Sequence, residues 1–532
     1  MQEEAAQPSR KLRVVVAGAS GFVGQALLPV LARDFDVVAL ARDPGRRAAG
    51  SPAGVAWRAC DLFSLLDAER ALEAASLAVY LVHSMLPSAR LVQGSFEDLD
   101  LIAADNFGRA ARAAGVARIV YLGGLLPAGE GLSRHLASRL EVEETLRASG
   151  VLLTTLRAGL VVGAGGSSFE MLVRLVKRLP AMLCPAWTLT RTQPVALSDV
   201  VATIRAALTR DEALGATLDV GGPEVLTYRG MLAETARQLG LKRLLVPLSL
   251  FSPRLSTLWV RLFTGAPRAL VAPLVESLSH EMVARDRALQ TALAGKAMPF
   301  RQALAVALAA GSGTTALERM RSRPSVRVVR SVQRLPLPRG WDAEGAAREY
   351  GTWLPRAFRP FLEVAVEGGT RFSFRFRPLR APLLVLELSP ERSSRSRALF
   401  YIRGGLLARP GERGRLEFRE ALGGRVLLAA IHDFEPRLPW PLYVATQAVL
   451  HLAKLRLEVG AGDGVGGHDA PAAGGRHDDG ARPLRQRLGR EGGGGLVGLF
   501  DGGGPHGADL AAHAVEHPVV GGQRPGVAGG GP

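Results

Sequence analysis

The sequence is poor in cysteine, since only Cys60 and Cys184 occur among its 532 residues. Two cysteines without the spacing of metal ligands exclude a disulfide framework and a cysteine-based zinc site. We therefore expect two buried thiols in a reducing compartment, and no metal site. The first residues, MQEEAAQPSRKLR, are polar and lack the apolar core of a secretory signal peptide, which predicts a cytoplasmic protein.

A long uninterrupted hydrophobic run is also missing. The most apolar region, residues 244–278, is broken by Arg254, Arg261 and Arg268. A membrane-spanning helix needs about 20 consecutive, predominantly apolar residues. We therefore expect no transmembrane segment, whereas peripheral contact with a membrane surface is left open.

Acidic residues are scarce beside basic ones: 66 Lys+Arg face 49 Asp+Glu, for a net charge of +17. Such an excess is found in proteins that bind nucleic acid or an anionic membrane surface. However, arginine supplies nearly all of the positive charge, and the sequence has no dense basic block with interleaved aromatic residues. We attribute the excess to coding bias and predict a small-molecule substrate and no nucleic-acid partner. The sequence leaves the oligomeric state open.

The chain is nevertheless rich in hydrophobic residues, at 47%, and its length predicts two or three domains. Strands are predicted at 12–17, 36–42, 54–62, 77–85, 117–125 and 151–163, and intervening helices at about 22–33, 97–114 and 133–149. Strands that alternate with helices of this length are typical of right-handed βαβ units. We therefore predict an α/β fold with a doubly wound, Rossmann-type parallel sheet.

The pattern predicts five segments along the chain. After a flexible N-terminus at 1–11, the Rossmann domain and a small substrate-side subdomain span 12–290, and a helical linker follows at 291–325. Residues 326–459 show one strand, helices, several antiparallel strands and a final helix, which predicts an α+β helix-grip-like domain with a cavity between its sheet and helix. Residues 460–532 are about one third glycine without periodicity and are predicted to be disordered.

A glycine-rich loop follows the first predicted strand. Gly18, Gly21 and Gly24 form the pattern G-x-x-G-x-x-G, and Ser20, Phe22 and Val23 lie between them. Glycine allows a tight turn and a close approach to a pyrophosphate, and the helix that follows offers free N–H groups to the phosphate. The strand before and the helix after the loop favour a dinucleotide-binding site over a glycine turn without a ligand.

The end of the second strand indicates which nicotinamide cofactor binds. Arg42 occupies that end, with Arg46 and Arg47 close behind. Arginine pairs with the 2′-phosphate of NADP, whereas an acidic residue holds the ribose hydroxyl of NAD. The sequence therefore favours NADP(H), although the adjacent Asp43 keeps NAD(H) as an alternative.

The end of the third strand supplies a further predicted contact. Asp61 and Leu62 follow that strand and would lie near the adenine. The alternative for Asp61 is a structural residue of a loop or a helix cap.

Several motifs together resemble the atypical short-chain dehydrogenase/reductase superfamily, with its NmrA-like members. They are GASGFVG, YLVHSM, RIVYLGGL, LSRHLASRLEVEETLRASG, LRAGLVVGAGGSSFEM, QPVALSDV and GGPEVLTY. The resemblance covers residues 12–290 and is nearest to bacterial NAD(P)-binding proteins with a C-terminal domain of unknown function, which GRLEFREAL and IHDFEPRLPWPLYVATQAVLH match. An accessory subunit of respiratory complex I is a distant relative. The resemblance implies a Rossmann fold and an oxidoreductase of unknown substrate.

The resemblance also places candidate catalytic residues. In the superfamily a tyrosine is the general acid or base, a lysine binds the nicotinamide ribose, and a serine orients the substrate. Here His135 stands at the tyrosine position and Arg139 at the lysine position, while Gly123 and Gly124 replace the serine. His83 follows the fourth strand, at the edge that faces the ligand crevice. An imidazole can shuttle a proton, whereas arginine binds oxygens without releasing one.

Plainer interpretations exist for these residues. His135 near a helix start is often a surface or capping group, and Arg139 has Glu143 four residues on as an ion-pair partner. Ser167, Ser168 and Glu170, on the predicted substrate side, could bind a polar substrate or form a helix N-cap and capping box, and for Ser167 we favour the cap.

Three functions therefore remain open. The first is an NAD(P)H-binding oxidoreductase that transfers hydride to a small carbonyl, quinone or imine. The second is a non-catalytic NADP(H)-binding sensor or scaffold, which the missing serine, tyrosine and lysine favour. The third is a lipid or isoprenoid carrier that uses the C-terminal domain.

Overall fold

The computed structural model describes residues 11–48, 50–84, 91–129, 131–248, 253–311, 328–357, 359–377, 379–439 and Tyr443. All of them belong to the unit Met1–Val465. The glycine-rich tail predicted at 460–532 lies outside the described residues, as does nearly all of the helix predicted before it.

Strands and helices alternate along the described chain. The strands up to residue 248 are β1 (Arg13–Ala17), β2 (Asp36–Ala41), β3 (Val55–Ala59), β4 (Leu77–Tyr80), β5 (Leu91–Gln93), β6 (Arg118–Gly124), β7 (Leu152–Ala158), β8 (Val161–Val162), β9 (Ala181–Pro185), β10 (Arg191–Thr192), β11 (Val195–Ala196), β12 (Thr217–Val220), β13 (Leu226–Thr227) and β14 (Leu244–Leu248). The helices up to residue 311 are α1 (Phe22–Leu31), α2 (Gly45–Ala48), α3 (Leu65–Leu72), α4 (Phe96–Ala113), α5 (Arg134–Ala148), α6 (Ser167–Arg178), α7 (Leu197–Thr209), α8 (Tyr228–Gln238), α9 (Pro253–Thr264), α10 (Arg268–Ser277), α11 (Ala288–Ala294) and α12 (Phe300–Ala309). The C-terminal part adds β15 (Val329–Pro336), α13 (Ala343–Ala357), β16 (Leu362–Glu367), β17 (Arg371–Phe376), β18 (Pro382–Leu388), β19 (Arg397–Gly404), β20 (Arg415–Ala421) and β21 (Val426–Phe434).

The N-terminal domain is built on a seven-stranded sheet in the order β12-β7-β6-β4-β1-β2-β3. Each neighbouring pair is parallel. The order reverses at β1, and in such sheets ligands bind beyond the carboxyl ends of the strands at the reversal. The predicted doubly wound Rossmann-type sheet is confirmed.

Hydrophobic clusters cover both faces of this sheet, because neighbouring residues of a strand point to opposite sides. Val14 and Val16 of β1 pack in a cluster with α1, α7 and α11. Val15 and Ala17 pack in another cluster with α3, α4 and α5. The alternation of strand and helix thus produces three layers, with the strand ends accessible at one edge.

A smaller subdomain follows β7. Its strands form the parallel pairs β8–β11 and β9–β14 and the antiparallel pair β10–β13. Helices α6, α8 and α12 share a hydrophobic core with Trp187, and α9 and α10 form a second core. Because α12 packs here and Leu293 of α11 packs on the parallel sheet, the N-terminal packing extends beyond the boundary predicted at residue 290.

The C-terminal part forms an eight-stranded sheet in the order β16-β17-β18-β19-β20-β21-β15-β5. It is antiparallel except for the pair β15–β5, to which the N-terminal part contributes a strand. α13 packs on one face, against Phe400 and Phe418. On the other face Arg415 donates to the Phe63 carbonyl at 2.8 Å, and Arg419 donates to Asp105 at 2.6 Å. The helix-grip arrangement stays a prediction, because nearly all of its final helix lies outside the described residues.

Several elements differ from the sequence prediction. β5 was not predicted, and the strand expected at 151–163 is divided into β7 and β8, which belong to different sheets. β4 ends at Tyr80, although a strand to residue 85 was expected, because His83 and Ser84 hydrogen-bond to the Asp100 side chain instead of to a neighbouring strand. β16 was not predicted; it is an edge strand that pairs with β17.

Three expectations from composition can be compared with the described residues. Cys60 and Cys184 are both buried free thiols, as predicted. Within the described ranges, no helix is long and apolar enough to cross a bilayer. The same residues contain no group of three or more histidine, cysteine or acidic side chains placed to hold a metal ion.

Candidate functional site

The glycine loop connects β1 to α1. Gly18 has a φ of +82°, which side-chain-bearing residues rarely adopt, and the Gly21 N–H closes the turn by donating to its carbonyl at 2.9 Å. Gly21 is also the N-cap of α1, where no side chain of the described residues accepts from the helix. Ser20 is exposed, and Phe22 and Val23 are half-buried. The first N–H groups of α1 are thus placed to bind an anion.

Close backbone packing explains why the loop has glycine at position 24. A Cβ on Gly24 would lie 2.5 Å from the Gly18 oxygen and 2.7 Å from the Cα of Ala19. A Cβ on Gly18 would lie 2.8 Å from the carbonyl carbon of Leu81, which follows β4. The loop therefore forms a backbone cradle that fits a dinucleotide pyrophosphate.

The residues predicted to select the cofactor lie after β2 and β3. Arg42 and Asp43 are both exposed directly after β2. Asp61 forms an ion pair with Arg330 of β15, and Leu62 packs beside it between two hydrophobic clusters. Asp61 thus has a structural role, since it links the loop after β3 to β15. Its predicted contact with the adenine stays a prediction.

A buried carboxylate organises the other side of the site. Asp100 of α4 is fully buried. Its Oδ2 lies 2.8 Å from Nδ1 of His83, and its Oδ1 accepts the Ser84 N–H at 2.6 Å. The guanidinium of Arg139 forms an ion pair with the same carboxylate. Asp100 therefore joins α4, the segment after β4 and α5 in one polar cluster.

The structure overturns two of the plainer alternatives. Arg139 does not pair with Glu143, which instead binds Arg157 at 2.9 Å, because the buried carboxylate of α4 lies closer to Arg139. The cap of α5 is Ser133, whose side chain accepts from the helix, and not His135. The predicted contact between Arg139 and the nicotinamide ribose stays a prediction.

His83 and His135 lie side by side, with ring centroids 5.0 Å apart. Burial, together with the neighbouring His83 and Arg139, lowers the pKa of His135 to about 3, against the opposing effect of Asp100. Burial and Arg139 also lower the pKa of His83, against the opposing effect of Asp100. Both imidazoles are therefore neutral at pH 7. Nε2 of His83 and Nδ1 of His135 are buried without a hydrogen-bond partner among the described residues, which suits a polar ligand.

An apolar cavity of about 380 Å³ adjoins the histidines. His83, His135 and Phe22 of α1 contribute to its lining. Most of the remaining lining is apolar and comes from the small subdomain, including Met171, Leu175, Trp187, Met231, Leu270 and Val271. The glycine loop, the histidines and an apolar chamber thus meet in one region.

The loop after β8 also reaches this cavity. Ser167 and Ser168 line it, and Glu170 is buried. α6 begins at Ser167 with Gly166 as its N-cap, so the predicted serine cap is wrong. Gly166 packs closely on α1, since a Cβ there would lie 3.0 Å from the Phe22 ring. Because of this contact, a residue with a side chain would be crowded at the N-cap position, which favours glycine there.

Sequence reasoning missed Asp100 and the apolar lining. The only local signal for Asp100 is an acidic residue within the otherwise apolar stretch Leu99–Ala104, which predicts a buried charge with a partner. The lining residues look like ordinary core residues, because each belongs to a hydrophobic pattern that predicts burial alone.

The fold and the glycine loop define a dinucleotide-binding Rossmann domain. Residues 18–174 match the model of a family described as NAD(P)H-binding. This confirms the predicted nicotinamide-cofactor domain for that part of the chain. The match ends well before β15, the first strand of the C-terminal part.

Individual relatives are similar over part of their length. The auxiliary protein GraX of Staphylococcus aureus is 33% identical over 135 residues, which are 25% of this chain and 44% of that protein. The chain thus spans less than half of that relative. The structure of the NADPH-dependent quinone oxidoreductase QOR2 of Escherichia coli, complexed with NADPH, aligns with 55% of this chain and 98% of its own, at 18% identity and a TM-score of 0.45. Triphenylmethane reductase of Citrobacter sp. aligns with 56% and 99%, at 19% identity and a TM-score of 0.45.

Proposed function

We propose that the chain is an NADPH-dependent reductase of an apolar carbonyl or quinone. The observation that carries the proposal is the cavity, where two imidazoles face an otherwise apolar lining beside Phe22 of the glycine loop. Small-molecule sites are commonly built this way, because apolar walls supply affinity and a few polar groups fix orientation.

The residues of the chain have separate tasks in this proposal. The glycine loop and the start of α1 bind the pyrophosphate, and Arg42 binds the 2′-phosphate. Asp61 and Leu62 border the adenine. The reduced nicotinamide, when bound, supplies a hydride, and the chain places the substrate in the apolar cavity beside it.

The proton is handled by the histidines. Reduction of a carbonyl adds one hydride to carbon and one proton to oxygen. We assign His135 the hydrogen bond to that oxygen and the passage of a proton from water. His83 is a positioning residue, because the Asp100 carboxylate accepts from its Nδ1–H and so fixes its ring and tautomer.

His135→Gln is expected to lower kcat about 100-fold, because a positioned proton donor contributes on the order of 10²–10⁴ to such reactions. The assay follows NADPH oxidation with a panel of alkylated benzoquinones and aromatic aldehydes. Affinity for NADPH, from calorimetry, should change little. Arg134→Gln, a change of the neighbouring exposed residue that pairs with Glu97, is the matched control and should leave kcat within about twofold.

The pH profile distinguishes this role from acid catalysis by an imidazolium. Since the pKa of His135 is about 3, its ring stays neutral above about pH 5, and the lowered pKa of His83 favours the neutral form of that ring as well. We expect kcat/KM to be level from about pH 5 to 8. A decline in kcat/KM as the pH rises through about 6.5, the ordinary histidine pKa, would contradict the assignment.

Arg42→Asp is expected to weaken NADPH binding by about 10- to 100-fold and to leave NADH binding unchanged or stronger. A charge-assisted bond to the 2′-phosphate contributes about 1.5–3 kcal/mol, which NADH does not have. Arg33→Asp makes the same charge change before β2, at the opposite end of that strand, and serves as the control. Equal weakening of both cofactors by Arg42→Asp would count against NADPH selection by this residue.

A second candidate is a non-catalytic NADP(H)-binding sensor, which one observation favours. The C-terminal sheet touches the loop proposed to border the adenine, because Arg330 binds Asp61 and Arg415 donates to the Phe63 carbonyl. Binding of the cofactor would then change the contacts between this loop and the C-terminal sheet. NADPH binding without turnover of any quinone or aldehyde in the panel, unchanged in His135→Gln, would support the sensor. The lipid-carrier role of the C-terminal part stays a prediction.

A further inference from the structure

Two segments of the subdomain that lines the cavity contain basic side chains but no acidic ones. Residues 171–198 contain four basic side chains and none that are acidic, and residues 235–275 contain six basic side chains and again none that are acidic. The chain as a whole has about three acidic residues for every four basic ones. A stretch free of acidic residues is therefore a local feature of this subdomain and not a consequence of overall composition.

The two segments form one surface in the fold. β9 from the first segment pairs with β14 from the second. α6 packs along α9, where Arg178 donates to the Phe263 carbonyl at 2.7 Å and Arg174 to the Thr264 carbonyl at 3.1 Å. Their positive charges are consequently combined in one region, apart from Arg191 and Arg237, which form ion pairs with Glu281 and Glu234. Lys177, Lys242 and Arg254 are exposed there, as are Arg261 and Arg268.

Large apolar side chains are exposed among these cations. Leu258 and Leu262, one turn apart on α9, are 59% and 72% exposed. Leu183 of β9 and Leu244 of β14 are 53% and 63% exposed, on the face of the strand pair opposite the buried Met182. Isolated exposed leucines are ordinary on a protein surface, but apolar side chains grouped with cations are typical of surfaces that bind at a membrane interface.

The opposite side of the same elements lines the cavity. Val260 of α9 and Leu270 and Val271 of α10 belong to its lining. The exposed leucines of α9 are therefore separated from the cavity by the thickness of one helix. An apolar molecule dissolved in a bilayer would have a short path to the cavity from a membrane on which this surface rests.

We propose that the surface formed by α6, α9, α10, β9 and β14 docks on a membrane that contains anionic phospholipids. The charge complementarity favours anionic head groups, each nearby cation contributing to the attraction, and the leucines reach into the boundary between head groups and acyl chains. A nucleic acid would match the charge but would leave the leucines exposed, since single strands stack their bases on aromatic side chains. The proposal concerns binding alone and does not depend on the proposed reductase activity.

The test is sedimentation of the full chain with vesicles, without cofactor or substrate. Vesicles of phosphatidylcholine mixed with phosphatidylglycerol should bind the protein, and vesicles of phosphatidylcholine alone should bind it much less. Arg254→Gln/Arg261→Gln should lower the partition coefficient about 30-fold, from about 1 kcal/mol per cation. Leu258→Ser/Leu262→Ser should lower it at least about tenfold. These side chains are exposed, so the variants should keep their affinity for NADPH.

Matched controls change the same residue types elsewhere. Arg371→Gln/Arg395→Gln removes two exposed cations of the C-terminal part, and Leu152→Ser/Leu214→Ser removes two exposed leucines of the N-terminal domain. Both pairs should bind vesicles as the natural sequence does. Equal binding to neutral and anionic vesicles, or an equal loss in the controls, would overturn the proposal. So would dissociation of a dimer by Leu258→Ser/Leu262→Ser without vesicle binding by the natural sequence, because the surface would then join two copies of the chain.

Discussion

Gly24→Ala is expected to weaken NADPH binding at least about 100-fold. The new Cβ would lie 2.5 Å from the Gly18 oxygen and 2.7 Å from the Cα of Ala19, and both neighbours are backbone atoms that cannot turn aside. The glycine loop must therefore move, which displaces the N–H groups that bind the pyrophosphate. A strain of about 3 kcal/mol corresponds to roughly a 100-fold loss of affinity. Calorimetric titration with NADPH measures the effect.

Substitutions at two other glycines serve as comparisons for Gly24→Ala. Gly50→Ala adds a methyl group where nothing lies within 4 Å, so both affinity and stability should stay unchanged. Gly21→Ala brings a Cβ to 3.1 Å from the Gly18 oxygen, and an intermediate loss is expected. NADPH affinities that are alike in Gly24→Ala and Gly50→Ala would show that the cofactor does not use this loop.

Asp100→Leu is expected to destabilise the folded state by about 3–5 kcal/mol, because it leaves the buried guanidinium of Arg139 without a counter-ion. Asp100→Asn preserves the shape and part of the hydrogen bonding and should cost less. Asp36→Asn removes a carboxylate from a more exposed pair with Arg13 and should cost no more than about 1 kcal/mol. Urea unfolding of the three variants gives the ranking, and a cost for Asp100→Leu no larger than that for Asp36→Asn would contradict it.

The Asp100 carboxylate makes the free energy of unfolding depend on pH in the acidic range. Burial alone would raise the pKa of Asp100, but the charge of Arg139 and the hydrogen bond from His83 outweigh it and lower the pKa to about 2. The folded state thus binds fewer protons than the unfolded chain between about pH 2 and 4. The contribution of Asp100 is complete above about pH 4 and is lost as the pH falls through 2. In Asp100→Asn, the free energy of unfolding should depend less on pH between about pH 2 and 4, as measured by urea unfolding at each pH.

Loss of the Asp100 carboxylate should also lower the rate of the proposed reduction. Asparagine at position 100 keeps only one acceptor oxygen where the carboxylate uses one oxygen for the Nδ1–H of His83 and the other for the Ser84 N–H, so the ring and its tautomer are fixed less firmly. In Asp100→Asn we expect kcat to fall while affinity for NADPH, which depends mainly on the glycine loop, changes little. A loss confined to NADPH affinity would assign Asp100 to the cofactor site instead.

The N-terminal sheet and the cofactor loop could be predicted from the sequence because their signals are local. Buried parallel strands such as β1 and β2 are continuous apolar runs, and the glycine spacing lies directly between a strand and a helix. The end of β4 could not be predicted in this way, because a side chain from α4 replaces its backbone partners at His83. Local hydrophobicity contains no information about such a distant acceptor.

The sequence by itself determined the fold class, the glycine loop and the positions of His135 and Arg139, since spacing along the chain is sufficient for each. Only the tertiary structure decided what surrounds them. Asp100 is 39 residues from Arg139, yet it binds that guanidinium and the imidazole of His83 in one buried cluster. The pairing arises because the end of β4 and the helices α4 and α5 meet where the parallel sheet reverses its order. Burial there keeps the imidazoles neutral, and the apolar cavity beside them is lined largely by residues of the small subdomain.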